Sequence, residues 1–114
     1  AVLLRAGEVV EGVDVARGRR PVARKDRDLA RGPARLTSAL GLTREDDGEL
    51  LGGAGSRIRL ELAEPADAVP AELVRSGPRV GVAGPGGDGE AFPWRFWIDG
   101  DPTVSPYKPA ARRK

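Results

Sequence analysis

The segment Arg57-Ile58-Arg59-Leu60-Glu61-Leu62 alternates charged and apolar side chains. A two-residue period places Ile58, Leu60 and Leu62 on one side of an extended chain, so the pattern predicts a strand with one solvated face. Val2 to Val10 reads as a second extended run, with Val2, Leu4 and Ala6 on one face and Leu3, Arg5 and Gly7 on the other. Two more strands follow. One is Arg79-Val80-Gly81-Val82, after Gly77-Pro78; the other is Pro93 to Ile98, where Trp94, Phe96 and Ile98 share a face opposite Arg95 and Trp97. An alternating aromatic strand more often builds a core than a stacking platform, so these rings are assigned to packing.

Helical spacing is rarer. Gly32 suits a cap and Pro33 the first helical position, Leu36 and Leu40 are spaced i, i+4, and Gly41 supplies a stop, which makes this the clearest helix. Val13 to Arg20 predicts a shorter one, weakened by Gly18. The stretch from Pro21 to Asp26 reads as loop, Glu45 to Gly55 as polar turns, and Ala63 to Ser76 as a connection or one short helix after Pro70. Gly84-Pro85-Gly86-Gly87-Asp88-Gly89 has no phosphate-loop lysine and reads as a hairpin tip. Pro106 to Lys114 reads as a disordered basic tail behind a domain spanning 1–105. The fold class expected is mixed α/β, of the α+β kind: strands with a few short helices.

Composition narrows the chemistry. A chain of 114 residues with 39% hydrophobic and 32% charged side chains is one soluble domain at most. Only five residues are aromatic, and 16 Gly and 10 Pro sit beside a small Val, Leu, Ile and Ala core, so marginal stability is expected of the chain alone. The absence of Cys and His argues against disulfides, zinc chemistry and Cys-His or Ser-His nucleophiles. No apolar run approaches a membrane span and no signal-peptide pattern opens the chain, which is compatible with a reducing cytoplasm. The chain starts without Met and directly in an apolar run, and is expected to be a fragment.

The net charge of +2 hides an asymmetry. Residues 1–44 hold ten Arg/Lys against five Asp/Glu, and residues 45–100 hold five against eleven. Arg17, Arg19, Arg20, Arg24, Lys25, Arg27, Arg31 and Arg35 crowd one stretch with only Asp26 and Asp28 to offset them. Such a field attracts polyanions, nucleic acid above all; a solvated loop in an arginine-rich protein is the plainer alternative. Arg5 interrupts an apolar run, and a guanidinium that cannot shed its charge needs a carboxylate, a phosphate or a polarised water, so it is either a site residue or an ion pair with Glu8, Glu11 or Asp28. Arg35 stands in the first turn of the best helix, where a phosphate could dock or where Gly32-Pro33 is simply an efficient start. Asp46 and Asp47 lie in a turn, and no pair of carboxylates marks a hydrolytic site by itself.

Several segments taken together carry a resemblance: Val2-Leu3-Leu4-Arg5-Ala6 with Glu8, Val10, Glu11 and Gly12; Arg27-Asp28-Leu29 with Gly32-Pro33, Arg35-Leu36 and Ala39-Leu40; Arg79-Val80-Gly81-Val82; and Pro93-Trp94-Arg95-Phe96-Trp97. Their order and spacing resemble the C-terminal part of the alkyladenine (3-methyladenine) DNA glycosylase family, from Val2 to about Ser105 with a gap from Asp46 to Gly77. The resemblance implies a single domain around a curved antiparallel sheet or open barrel. It also implies base-excision repair by a monofunctional DNA glycosylase: a damaged purine nucleotide is swung out of the duplex and water hydrolyses its N-glycosidic bond. Neither metal nor organic cofactor is implied. Arg5 maps to the arginine that helps hold the attacking water and Val80 to the residue whose main-chain carbonyl touches it, while Gly81 lies beside the DNA backbone. Positions near phosphates map to Arg20, to Arg35 in place of the usual lysine, and more loosely to Arg44. Two features depart from the family pattern: Thr37 and Ser38 stand where Cys-Gln is frequent, and a glycine-rich turn runs from Gly84 to Gly89.

The partner implied is double-stranded DNA containing damaged purines, alkylated or deaminated, met by a monomer in a bacterial cytoplasm near the nucleoid and away from membranes. The family's general-base glutamate, its base-stacking tyrosine and histidine, its intercalating tyrosine and its base-reading asparagine all precede the matched region. The 114-residue chain alone is therefore expected to be inactive. Two alternatives stay open: a noncatalytic nucleic-acid-binding β domain, and a structural module whose arginines pair with its own acidic middle.

Overall fold

Helix α2 (Pro33–Leu40) forms where the Gly-Pro start and the glycine stop place it. Its end is closed by a Schellman arrangement: Gly41 takes a left-handed φ of 69°, Gly41 N–H donates to Ser38 O at 3.1 Å and Leu42 N–H to Thr37 O at 2.9 Å. Helix α1 (Val13–Arg19) begins behind Gly12, carries Asp14 in its first turn and Arg17 and Arg19 in its last, and so matches its charges to the helix dipole. In this computed structural model, which describes residues 1–111, packing divides into two compact units, Ala1–Ala68 and a second beginning at Val69.

The first unit holds α1, α2 and three short 3-10 turns at Asp26–Asp28, Arg44–Asp46 and Pro65–Asp67. Its core is built from small side chains. Ala16, Ala23, Ala30 and Ala39 surround Leu29, the one large side chain that is fully buried among the described residues, with Val9, Val13 and Leu36 packed against them. The spacing of Leu36 and Leu40 suggests that both face inward, but the residues turned to the core are Ala39, buried, and Leu36, partly buried, and Leu40 points to solvent. A helix of two turns can present only a narrow stripe, and the close approach of α1 favours alanine on it.

Two expected strands of this unit do not form. Val2 to Val10 is extended without a ladder, tied down by Gly7 N–H donating to Ala30 O at 3.1 Å, while Val2 is 88% exposed. Arg57 to Leu62 is also unpaired: Gly52 N–H donates to Ile58 O at 3.0 Å in a local loop and Leu62 stays in water. Alternation gives a strand its two faces, but only a neighbouring edge supplies the hydrogen bonds that make it one.

The second unit is built on an antiparallel pair, β1 (Val74–Gly77) and β2 (Arg95–Ile98), in which Val74 meets Ile98 and Gly77 meets Arg95. A 3-10 turn at Ala71–Leu73 leads into β1, as the Pro70 signal suggests. Strand β1 occupies sequence expected to connect, and Arg79 to Val82, expected to be a strand, is a turn. Pro78 ends the ladder because it has no N–H, and Gly81 at φ 75° leaves the extended region. Gly84 to Gly89 therefore lies inside a long connection, with a 3-10 turn at Pro85–Gly87, instead of at a hairpin tip. Strand β2 is inverted relative to expectation: Arg95, 8% exposed, and Trp97 turn inward, while Trp94 and Phe96 face solvent. Of the expected tail from Pro106, residues 112–114 lie outside the described residues, and Tyr107 stacks on Arg95. Helices with an antiparallel pair make this the mixed α/β class expected.

Candidate nucleic-acid interface

The basic stretch of the first unit sorts into two groups. Arg17 pairs with Asp26; Arg31 Nη1 lies 3.7 Å from Asp28 Oδ1. Arg19 Nη1 donates to Ala39 O at 3.0 Å and meets the negative end of α2. Arg20 Nη1 donates to Asp28 O at 2.6 Å and Leu29 O at 3.0 Å, which closes the loop that carries the core leucine. All four guanidiniums are engaged within the fold, Arg17 and Arg31 by carboxylates and Arg19 and Arg20 by backbone carbonyls. Arg24, Lys25, Arg27, Arg35 and Arg44 are exposed, and no side-chain partner engages them among the described residues.

The acidic middle does not neutralise that second group. Asp46 Oδ1 takes Arg57 at 3.1 Å and Asp46 Oδ2 accepts Thr43 N–H at 2.8 Å, so this carboxylate caps a turn and is committed to structure, not to acid/base work. Glu61 pairs with Arg59 at 3.8 Å. The arginines of the first 44 residues thus form their ion pairs locally, with Asp26 and Asp28, and leave a cationic surface in water. Unpaired exposed cations are cheap to desolvate against phosphate and release counterions when they bind it.

Of the residues singled out by resemblance, Arg5, Arg20, Arg35 and Arg44 lie in the first unit and Val80 and Gly81 in the second. Arg5 is half-buried beside Gly7, and its Nη1 is shielded from solvent. Arg35 stands in a first turn that carries no acidic residue, so nothing competes with an anion there. Arg20 is half-buried with one nitrogen already donating to two carbonyls, whereas Arg44 is open.

Val80 and Gly81 form an exposed turn whose surroundings are tightly built. Arg95 Nε donates to Pro78 O at 3.0 Å, and its guanidinium lies 4.0 Å from the centre of the Trp97 ring and 5.2 Å from that of Tyr107. Arg79 Nη2 donates to Gly86 O at 2.8 Å and stacks 5.2 Å from the centre of Trp94, which meets Phe92 edge-on at 5.0 Å. Sequence reasoning placed no role on Arg79 or Arg95. A signal was available: Arg95 and Trp97 are two apart on a strand and must share a face. Farther along, Thr103 N–H and Oγ1 donate to Asp101 Oδ1 at 2.8 and 2.6 Å and hold that carboxyl below its ordinary pKa. Among the described residues no cluster of His, Cys, Asp and Glu could hold a metal ion, and no helix is long and apolar enough to cross a membrane.

Comparison with known proteins bears on this arrangement directly. The profile of the methylpurine-DNA glycosylase (MPG) family matches residues 1–102. A relative from Nocardia farcinica, provisionally named a 3-methyladenine DNA glycosylase, is 54% identical over 98% of this chain and 50% of its own length. Relatives under the same provisional name come from Streptomyces avermitilis, 51% identical over 100% of this chain and 51% of their own, and Leifsonia xyli, 48% identical over 95% and 49%. The chain spans about half the length of these curated relatives. With a family profile that runs through nearly all of it and relatives about half identical over 95% or more of it, the chain belongs to the methylpurine-DNA glycosylase family.

Proposed function

We propose that this chain supplies one half of a monofunctional DNA glycosylase of base-excision repair, which hydrolyses the N-glycosidic bond of alkylated or deaminated purines in duplex DNA. The observation that carries the reading is the family match from residue 1 to 102 at about half identity to relatives under that name. Physical support comes from the cationic surface of Arg24, Lys25, Arg27, Arg35 and Arg44. In this reading Arg35, Arg44 and the remaining nitrogens of Arg20 approach phosphates, and the Gly81 backbone, which has no side chain to intrude, lies along the strand.

Chemistry is assigned to Arg5 and Val80. The family resemblance assigns each of them to the attacking water, Arg5 through its guanidinium and Val80 through its main-chain carbonyl; water attacks the sugar carbon, the bond to the purine breaks and an abasic site remains. A guanidinium cannot accept a proton, so Arg5 is not the general base; the family resemblance implies a glutamate in that role, N-terminal to the matched region. The protein acts as a monomer on chromosomal DNA near the nucleoid.

The test uses a hypoxanthine-containing duplex with alkaline cleavage of abasic sites. The 114-residue chain alone is expected to leave the duplex intact. The same chain, preceded by the portion of the N. farcinica relative that lies outside the match, is expected to release the base, and Arg5→Ala to slow release at least tenfold. A folded fusion that binds the duplex and releases no base would favour a noncatalytic DNA-binding domain. Turnover by the chain alone would contradict the assignment of the base elsewhere.

A further inference from the structure

The connection from Pro78 to Trp94 contains the carbonyl assigned to the water, and it is held by two arginines that touch nothing reactive. Arg95 is buried, yet among the described residues it forms no ion pair; its charge is balanced by the faces of Trp97 and Tyr107 and by the Pro78 carbonyl. A buried cation kept without a carboxylate is an expensive way to fill a core, since an apolar side chain would pack as well. What Arg95 provides and an apolar side chain cannot is a donor fixed in direction by stacking, aimed two residues before Val80. Arg79 does the same from the other side: stacked on Trp94, it grips Gly86 O.

Between these two grips the loop has no slack. A Cβ on Gly87 would collide with Val82 O, and one on Gly89 would lie 2.9 Å from Pro78 Cδ. Pro78 is therefore pressed against Gly89 and Val82 against Gly87, and Val80 lies in the segment between these two contacts. The other half of the device is the ladder: Gly77, directly before Pro78, pairs with Arg95 itself, and a Cβ there would meet Trp97 Cη2 at 3.2 Å. Strand register, the stacked cation and these close contacts thus hold both ends of the Pro78–Val82 segment that carries the Val80 carbonyl.

We infer that Arg95 and Arg79 are positioning residues for the Val80 carbonyl: each stacks on a tryptophan and clamps one side of the Pro78–Gly89 loop. The inference rests on the glycosylase reading for the consequence at the water, and on this unit's own geometry for the clamp. A loose carbonyl costs rate because reacting groups must be aligned within a fraction of an ångström, while DNA held by phosphate contacts elsewhere binds as before.

The experiment compares Arg95→Met and Arg79→Met with Arg75→Met, which removes an arginine from the same hairpin that pairs with Asp99 and touches neither loop carbonyl. In the fusion described above, single-turnover base release is expected to fall ten- to hundredfold in the first two with DNA affinity within twofold, and to stay unchanged in the third. Arg95→Lys keeps the charge and loses the planar fork, so it is not expected to rescue. In the 114-residue chain, amide exchange at Gly87, Asp88 and Phe92, whose N–H groups are hydrogen-bonded inside the connection, is expected to accelerate at least tenfold in the first two variants only. Unchanged release or unchanged exchange in Arg79→Met, whose side chain is only half-buried and whose folding is checked by circular dichroism, overturns the clamp. So does a fall in rate matched by an equal fall in affinity. Failure of the glycosylase reading is distinguishable: the unsubstituted fusion would release nothing, and exchange would still decide the clamp.

Discussion

Gly41→Ala probes the joint that unites the helices of the first unit. Gly41 has φ 69°, a conformation that costs an L-residue about 1–2 kcal/mol. A Cβ there would also lie 2.8 Å from Arg19 Cζ and 3.1 Å from its Nη1. The guanidinium is the far end of a flexible side chain and can move, but moving breaks its bond to Ala39 O, worth about 0.5–1.5 kcal/mol. Against this, alanine lowers the entropy of the unfolded chain and returns about 0.4–1 kcal/mol. The net expected loss is about 0.5–3 kcal/mol, a large part of the stability of so small a core. Urea unfolding measures it. Gly48→Ala is the control, because Gly48 has φ 83° and open space around its missing Cβ, so it registers the conformational cost alone. In an Arg19→Ala background, Gly41→Ala is expected to cost less by about 0.5–1.5 kcal/mol, the coupling of two groups that share one space. Equal losses in both backgrounds, or a Gly41→Ala as stable as the parent, would refute the account of this joint.

Other outcomes follow from the same geometry. Replacing Arg24, Lys25 and Arg27 together by alanine is expected to weaken duplex binding for every sequence and to flatten the plot of log affinity against log salt by about 0.9 for each phosphate no longer neutralised, read by fluorescence anisotropy. Arg20→Ala is expected to act chiefly on stability, since its Nη1 holds two carbonyls; an unfolding midpoint equal to the parent's would contradict this. Leu29→Ala removes the only large, fully buried side chain among the described residues and is expected to cost about 2–5 kcal/mol, enough to unfold much of the chain at ambient temperature by circular dichroism. Thr103→Val is expected to return Asp101 toward its ordinary pKa, because both donors to Oδ1 come from residue 103 and the hydroxyl is the larger cause. The folded carboxyl titrates below the unfolded one, so its stabilisation is complete above about pH 4 and lost as pH falls through the folded value. The acid limb of the stability curve is therefore expected to flatten in the variant, with the carboxyl shift followed by NMR.

Features coded by neighbours in the chain were legible. Gly32, Pro33 and Gly41 delimit α2 because a cap, a fixed φ and a left-handed stop are local chemistry, and the bias of charge toward the first 44 residues is visible in the residue types themselves. The family resemblance at Arg5, Arg79–Val82 and Pro93–Trp97 was legible for the same reason, as residue types in order. Tertiary structure decided the rest. Alternation marked Arg57–Leu62 and Val2–Val10 as strands, but a ladder needs an edge to pair with, and the only one among the described residues joins Val74–Gly77 to Arg95–Ile98. Which face of β2 turns inward was likewise undecidable from its pattern: Trp94 and Phe96 are the more apolar pair, yet Arg95 is buried because two aromatic rings and one carbonyl meet it there. Which arginines are bound to the backbone and which face solvent also depends on carbonyls and carboxylates brought close by folding. Sequence sets what each residue can donate, accept or stack upon; only the folded chain decides which partner is within reach.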